Sequence, residues 1–346
     1  MTSFQKPMRL RPGDAVAVLS PSWGGASVYP NVFDLGLANM RELLGVEVKE
    51  YPTTRMPTAG LHADPKRRAE DVNAAFADPQ VKAIISAIGG DDSVRLLPYL
   101  DAETITANPK ILMGFSDTTV LLAHANRLGL VTFNGPSIMA GFAQLKTLPP
   151  SFGRHVRQML MEPAPEYAYT AYSERVTEFQ GWDAPDYVGG VTYAPNAGWR
   201  WLQGGSVVRG TLFGGCIEVL EFIKGTRWWP PADFWRGKIL FFETSEEKPT
   251  PDQVKYMLRN YGMQGILDQI AGLLFARPQH YTAEERETLF QTILSVVADE
   301  FGRPDLPIVA EMDFGHEAPQ SIMPLGVTAE IDCAQQTFRL VEACIQ

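Results

Sequence analysis

The sequence has few cysteines, no long apolar run and no excess of positive charge. Its 346 residues include three cysteines without a C-x-x-C pair, so no disulfide framework is predicted. The formal net charge is −10, and no cluster of lysine and arginine offsets it, which argues against a nucleic-acid partner. No apolar segment approaches membrane-spanning length, so no membrane partner is expected.

Several site motifs are also missing. The chain contains no Walker loop and no G-x-G-x-x-G fingerprint, and its histidines and cysteines lack metal-ligand spacing. We therefore expect neither a cofactor nor a metal. The first residues lack the apolar core of a secretion signal, which together with the scarce cysteine predicts a cytoplasmic protein. The length favours two domains.

The first 145 residues alternate short apolar strands with amphipathic helices. A helix begins at Asp64-Pro65, where an N-cap residue precedes a proline at the first helical position. This alternation predicts a doubly wound parallel sheet, in which ligands bind beyond the carboxyl ends of the strands. Small or polar residues follow three predicted strands, and we expect them to border one crevice: Ser20–Gly25, Gly89–Ser93 and Gly114–Asp117.

The pattern changes after residue 145. Residues 146–203 are rich in Pro, Tyr, Gly and Trp, and beyond a short helix at 152–161 they predict a linker and a long aromatic loop of functional importance. Residues 204–346 form a predicted mixed α/β domain. Its expected strands are 238–243, 272–276 and 306–310, and its expected helices are 250–261 and 282–299.

Ser116 is the first candidate nucleophile. It lies at a strand-to-helix junction, where a serine side chain and the next N–H group can face the same crevice. The local sequence is G-x-S-x-T, so the nucleophile-elbow motif is incomplete. On spacing alone, a helix-capping role for Ser116 is the stronger alternative.

A serine nucleophile needs a base and an acid that orients it. His316 follows a predicted strand, and Glu243 ends the apolar strand at 239–242, although a turn residue and a solvent-facing strand end are the open alternatives. The other four histidines are weaker candidates for the base. His124 falls within a helix, and three lie in polar segments predicted to be exposed: His62, His155 and His280.

The ordered motifs resemble those of the serine LD-carboxypeptidase family over nearly the whole chain. They include the sequence LRPGD at 10–14, SPS at 20–22, AIGGDDS at 87–93, GFSDTT at 114–119, NGP at 134–136, GTLFGG at 210–215, GT at 225–226, LFFE at 240–243 and DFGH at 313–316. Their joint order is more specific than any single motif.

This resemblance implies a triad of Ser116 as nucleophile, His316 as general base and Glu243 as its orienting partner. It implies an oxyanion hole made by the backbone N–H groups of Gly90 and Asp117. The implied fold is a flavodoxin-like N-terminal domain with a doubly wound parallel sheet, followed by a smaller mixed α/β C-terminal swivelling domain. The family also implies a homodimer.

The family has two branches, one cleaving murein tetrapeptides and one cleaving microcin-C-type aminoacyl nucleotides. The chain is more similar to the second branch, because Ile88-Gly-Gly-Asp-Asp-Ser93 replaces an Arg-Gly-Gly-Tyr-Gly type of sequence. Its long aromatic insertion resembles a loop that stacks a nucleobase. The implied substrate-binding residues are Gly89, Phe179, Trp182, Cys216 and Lys248. Cys216 departs from an asparagine common in the family, and Lys248 is equally consistent with a surface lysine.

The predicted function is therefore hydrolysis of an amide bond in a small peptidyl or aminoacyl-nucleotide substrate through an acyl-enzyme. Murein tetrapeptide cleavage in wall recycling is the alternative. For Phe179 and Trp182, the alternative to stacking is that they only fix the loop to the body of the protein or to a dimer partner. A non-catalytic binding protein on the same fold is a further, more remote alternative.

Overall fold

The structure is a computed structural model that describes residues 4–346. Its strands, in chain order, are β1 (Ala15–Leu19), β2 (Glu47–Glu50), β3 (Val81–Ser86), β4 (Ile111–Gly114), β5 (Thr132–Asn134), β6 (Tyr167–Tyr169), β7 (Glu174–Phe179), β8 (Val191–Pro195), β9 (Arg200–Gln203), β10 (Val207–Cys216), β11 (Lys238–Glu243), β12 (Gly272–Ala276), β13 (Ile308–Met312), β14 (Met323–Leu325), β15 (Thr328–Asp332) and β16 (Thr337–Leu340).

The α-helices, in the same order, are α1 (Gly25–Val28), α2 (Pro30–Leu44), α3 (Thr58–Ala63), α4 (Pro65–Ala77), α5 (Ala102–Ala107), α6 (Thr119–Arg127), α7 (Pro150–Met161), α8 (Ile217–Glu221), α9 (Pro251–Met263) and α10 (Ala283–Leu294). Shorter 3₁₀ segments cover Ser93–Tyr99, Ser116–Thr118 and Ala232–Trp235. Within residues 4–346, every helix is too short or too polar to span a membrane.

The N-terminal sheet has the order β14-β5-β4-β3-β1-β2. The strands from β2 to β5 pair in parallel, and β14 joins β5 in the antiparallel direction. The parallel order 2-1-3-4-5 is flavodoxin-like, which confirms the predicted fold. Because helices cover both faces of such a sheet, its central strands are apolar runs such as Val16–Val18, which is fully buried.

Helix starts follow the predicted chemistry. The Asp64 side chain accepts a hydrogen bond from the Arg67 N–H at 3.0 Å, and Pro65 occupies the first position of α4. Thr250 and Thr282 each complete a capping box at the starts of α9 and α10. The long helix predicted for 282–299 is divided, since α10 ends at Leu294 and a π-helical turn covers Ser295–Glu300.

The C-terminal sheet has the order β6-β16-β15-β10-β11-β12-β13-β9. Its centre, from β10 to β13, is parallel, and the strands on either side are antiparallel. The predicted strands at 238–243 and 272–276 are confirmed as β11 and β12. The parallel centre places the carboxyl ends of β11 and β13 at one edge, where Glu243 and the segment leading to His316 lie.

The middle segment differs from the predicted long loop. After α7 it contains four strands, of which β6 and β9 form the two edges of the C-terminal sheet. β7 and β8 pair only with each other, as an antiparallel hairpin. Near the other end of the chain, β14 returns to the N-terminal sheet. The expected segments 1–145, 146–203 and 204–346 therefore do not each form a separate sheet, because strands of the second and third segments pair with strands outside their own segment.

Candidate active site

Ser116 occupies a strained turn between β4 and α6. Its φ angle is 57°, in the left-handed region that side-chain-bearing residues rarely adopt. Such a conformation at a strand-to-helix junction is characteristic of nucleophile elbows, which expose the serine hydroxyl above the sheet. Neither the 3₁₀ turn at Ser116–Thr118 nor α6 has a side-chain capping hydrogen bond. The capping alternative for Ser116 therefore has no support in the geometry.

The Gly89-Gly90 turn packs directly against Ser116. A Cβ atom added at Gly89 would lie 2.7 Å from the Ser116 Cβ and 2.8 Å from its Oγ. Gly90 has a φ angle of 142°, and a Cβ there would lie 2.4 Å from the Ser22 Oγ. Both positions consequently require glycine, the first for close approach and the second also for its backbone conformation.

Hydrogen bonds fix this turn to the serine loop. The Asp117 carboxylate accepts from the N–H groups of Asp92 at 3.0 Å and Ser93 at 2.8 Å. The Ser22 hydroxyl accepts from the N–H groups of Asp91 and Asp92, at 3.0 and 2.9 Å. The three strand ends predicted to border one crevice thus meet, and their backbone N–H groups are held in fixed positions.

Glu243 and His316 meet at the edge of the C-terminal sheet. Glu243 is 1% exposed, and its Oε2 lies 2.5 Å from the His316 Nδ1. Gly315 makes this approach possible, since a Cβ there would lie 2.6 Å from the same carboxylate oxygen. The His316 ring also packs edge-on against Phe115, with centroids 4.9 Å apart, which places it beside the Ser116 turn.

A second carboxylate contacts the other nitrogen of His316. The Glu246 Oε2 lies 3.0 Å from the His316 Nε2. Burial alone would lower the pKa of His316, but the charges and hydrogen bonds of Glu243 and Glu246 outweigh it and raise that pKa to about 10. The hydrogen bond from His316 lowers the pKa of Glu246 to about 2. In this arrangement His316 is an imidazolium between two carboxylates.

An ion-pair network supports the segment before His316. The buried Arg277 guanidinium contacts Glu311 and Asp313, each at 2.9 Å. Asp313 also accepts hydrogen bonds from the Asn196 side chain and the Trp199 indole, both at 2.9 Å. The network therefore joins β12, β13 and the residues around β9 beneath the histidine loop.

A cavity of about 750 Å³ brings most of these groups together. Its wall includes the predicted residues Gly89, Gly90, Ser116, Phe179, Trp182 and His316. Trp182 stacks on Trp23 with centroids 6.0 Å apart and an angle of 12° between the rings, and it meets Tyr29 edge-on. Phe179 is 42% exposed. The cavity is thus lined by Ser116 and His316 in one part and by the aromatic side chains of Phe179 and Trp182 in another.

Two predicted substrate-binding residues do not line this cavity. Cys216 is fully buried, and its Sγ lies 3.5 Å from the carboxylate of Glu218, which does line it. The Lys248 Nζ lies 2.8 Å from the carboxylate of Glu285, a residue that does not line the cavity either. The cavity wall is therefore formed by neighbours of these residues rather than by the residues themselves.

The remaining histidines differ partly from expectation. His155, predicted to be exposed, is buried between Tyr167 and the N–H of Ile322, and burial lowers its pKa to about 3. His62, also predicted to be exposed, lines the cavity, and its buried Nε2 has no hydrogen-bond partner within residues 4–346. His124 is buried on α6, as a helix-face residue.

Many cavity residues were not named among the predicted site residues, including Trp23, Glu218, Glu246 and Gln320. Trp23 follows β1, within a strand end already expected at the crevice, and could have been found there. The other three depend on tertiary contacts. Within residues 4–346, no group of three or more His, Cys, Asp or Glu side chains could hold a metal ion.

Two protein-family models match this chain, one over most of the N-terminal sheet and one over most of the C-terminal sheet. An LD-carboxypeptidase N-terminal domain matches residues 16–135, and an LD-carboxypeptidase C-terminal domain matches residues 209–331. The chain belongs to the LD-carboxypeptidase family, peptidase family S66. The predicted family is confirmed, and membership makes the chain a hydrolase of the serine carboxypeptidase type.

Relatives of the chain include a protein named for microcin immunity and a protein named for murein peptides. The chain is 29% identical to the microcin C7 self-immunity protein MccF of Escherichia coli, over 80% of this chain and 78% of the other. It is 28% identical to a Bacillus subtilis protein named "Probable murein peptide carboxypeptidase", over 96% and 93%. A solved structure of MccF in complex with aspartyl sulfamoyl adenosine is 26% identical, with a TM-score of 0.85, covering 99% of this chain and all of the other.

Proposed function

We propose that the chain hydrolyses the amide-type bond of aminoacyl nucleotides through an acyl-enzyme on Ser116. The observation that carries the proposal is the contact of Glu243 with His316 beside the strained Ser116 turn, with Ser116 and His316 both lining one cavity. Nucleophile, base and orienting acid are the three roles that acyl transfer to a serine requires. They come here from two different sheets that meet at the cavity.

In the first step, His316 Nε2 takes the proton from Ser116 as the hydroxyl oxygen attacks the substrate carbonyl. Glu243 holds Nδ1 and stabilises the imidazolium that forms. The N–H groups of Gly90 and Asp117 stabilise the oxyanion, and the loss of one such donor typically costs about 3 kcal/mol of barrier. The Gly90 N–H donates to no protein acceptor within residues 4–346, so it is free for this role.

The resting imidazolium has to release its Nε2 proton to solvent, and its contact with Glu246 has to break, before His316 can act as a base toward Ser116. The Glu246 side chain is 60% exposed, so it has room to turn into solvent. As the tetrahedral intermediate collapses to the acyl-serine, His316 protonates the leaving nitrogen. In the second half of the reaction, the neutral His316 activates water against the acyl-serine. The amino acid is released, and Ser116 is regenerated.

The aromatic end of the cavity supports a nucleotide as the leaving part of the substrate. Phe179 presents an exposed ring, and Trp182 is held in place by Trp23 and Tyr29. A base stacked on aromatic side chains gains about 1–3 kcal/mol. The sulfamoyl adenosine bound to MccF is of this chemical class. We therefore assign the base to the surface formed by Phe179 and Trp182.

A single competition assay tests the choice of substrate. Purified protein is given equal amounts of an aminoacyl sulfamoyl adenosine and a murein L,D-tetrapeptide, and both products are followed by mass spectrometry. We expect release of sulfamoyl adenosine with little release of D-alanine. D-alanine release without adenylate cleavage would instead assign the chain to the murein branch, which the Bacillus subtilis relative represents by name.

A further inference from the structure

The charged residues in the cavity wall are almost all acidic. Four carboxylates line it, those of Asp91, Glu218, Glu246 and Glu247. No lysine or arginine is present among the lining residues, all of which lie in the described range 4–346. The cavity therefore has a negative potential, and the His316 imidazolium offsets only part of it.

Two of these carboxylates lie next to the reacting groups. Glu218 lies in the first turn of α8, and its Oε1 accepts hydrogen bonds from the N–H and the hydroxyl of Ser245 at 2.9 and 2.7 Å. Ser245 follows Glu243 by two residues, so Glu218 is fixed close to the proposed triad. Glu246 contacts His316 on the same loop. Glu218 and Glu247 form no ion pair with lysine or arginine within residues 4–346.

The carboxylates influence one another. Burial is the main reason that the pKa of Glu243 is raised, and the charges of Glu218 and Glu246 add to it. A ligand cation would relieve this repulsion, whereas an acidic side chain would increase it. The lysine that follows, Lys248, faces Glu285 and does not compensate the cavity.

A neutral acceptor in the same wall also lacks a donor. Gln320 is 4% exposed and lines the cavity, and its amide nitrogen donates to the Gly315 carbonyl. Its Oε1 has no hydrogen-bond partner within residues 4–346. Buried acceptors are nearly always paired, so this oxygen indicates a ligand rich in N–H donors.

We infer that the acyl residue of the substrate carries a positively charged side chain, of the lysine or arginine class. The inference rests on the proposed function and specifies its substrate. The α-amino group common to aminoacyl substrates needs one carboxylate, and the cavity offers several. The preference is opposite to the acidic acyl group of the aspartyl sulfamoyl adenosine bound to MccF.

Three sulfamoyl adenosines that differ only in the acyl residue test this preference: lysyl, norleucyl and glutamyl. Norleucine has the lysine chain without the ammonium group. For the wild-type protein we expect kcat/KM for the lysyl compound to exceed that for the norleucyl compound by at least about tenfold, with the glutamyl compound slowest. In Glu218→Gln the ratio of lysyl to norleucyl should fall severalfold. In Glu284→Gln, an exposed carboxylate on α10, the ratio should be retained.

The outcomes separate the two proposals. Three outcomes would overturn the charge preference while leaving nucleotide hydrolysis intact. They are equal kcat/KM for the lysyl and norleucyl compounds, a preference for the glutamyl compound, and an unchanged lysyl-to-norleucyl ratio in Glu218→Gln. Hydrolysis of none of the three compounds would overturn the proposed function and, with it, this inference.

Discussion

His316 is held between two carboxylates, and its protonation state decides whether Ser116 can be deprotonated. Glu243 contacts Nδ1 from within the protein, whereas Glu246 contacts Nε2 from the cavity side. Only the second contact competes with the proposed reaction, because Nε2 is the atom that must accept the serine proton. Glu243 therefore supports the proposed role of His316 as a base, whereas Glu246 opposes it.

Replacing Glu246 by glutamine should move the pH profile to lower pH. The charge and hydrogen bond of Glu246 help raise the pKa of His316 to about 10, so their loss lowers that pKa and increases the fraction of neutral base at pH 7. The acid limb of kcat/KM, which reports ionisation of the free enzyme, should shift downward, with a higher rate at pH 7. Glu70→Gln, on the exposed face of α4, is the control. A limb that stays in place would contradict the role given to Glu246.

At the scale of elements, the β7–β8 hairpin contributes the aromatic end of the cavity. Gln144 donates a hydrogen bond to the Tyr187 hydroxyl at 2.6 Å, and the Val176 N–H bonds to the carbonyl of Ala318 at 2.8 Å. The hairpin is thereby attached both to the N-terminal part of the chain and to the loop that carries His316. Trp182 at its tip is positioned rather than free.

Trp182→Ala tests what this hairpin does. If the base stacks there, KM for an aminoacyl sulfamoyl adenosine should rise by about 5- to 150-fold, the range that a stacking loss of about 1–3 kcal/mol predicts. Trp182→Phe keeps an aromatic face and should recover most of the affinity. Unchanged KM in Trp182→Ala, with normal thermal stability, would assign the tryptophan to fixing the loop alone.

The Arg277 network is the second element-scale feature, since it joins several strands under the histidine loop. Arg277→Met removes the cation and leaves the buried Asp313 without a charged partner, while Glu311 keeps only its contact with Arg286 at 3.3 Å. We expect the free energy of unfolding, measured with urea, to fall by about 3–5 kcal/mol. Arg200→Met breaks the exposed pair with Glu287 and should cost less than about 1 kcal/mol. Similar small losses in both variants would show that the network is not a structural support.

Across the whole molecule, the sequence predicts best the features that depend on local signals. The strand ends at Ser20, Gly89 and Ser116 carry small or polar residues after apolar runs, and the structure brings them together. The parallel sheet follows from the alternation of strands and helices. The family motifs add Glu243 and His316, which lie in contact although 73 positions separate them.

What could not be predicted depends on contacts between distant segments. Glu246 and Glu218 are ordinary surface-type residues in sequence, and only the fold turns them toward His316 and Ser245. The hairpin was missed because turn-forming and aromatic residues obscure its short strands. β14 was missed because three residues are too few to show a period, and its pairing with β5 is fixed by tertiary packing.

The two sheets supply different parts of the proposed machinery: Ser116 follows β4 of the N-terminal sheet, whereas Glu243 ends β11 and His316 follows β13 of the C-terminal sheet. The central claim is that Ser116 is the nucleophile of this composite site. Its most direct test is the turnover of an aminoacyl sulfamoyl adenosine by Ser116→Ala, with the exposed Ser295→Ala as control. We predict a loss of kcat of at least about 10³-fold in Ser116→Ala and a normal rate in the control. A Ser116→Ala protein that retains kcat within tenfold of the wild-type value would contradict the acyl-enzyme mechanism.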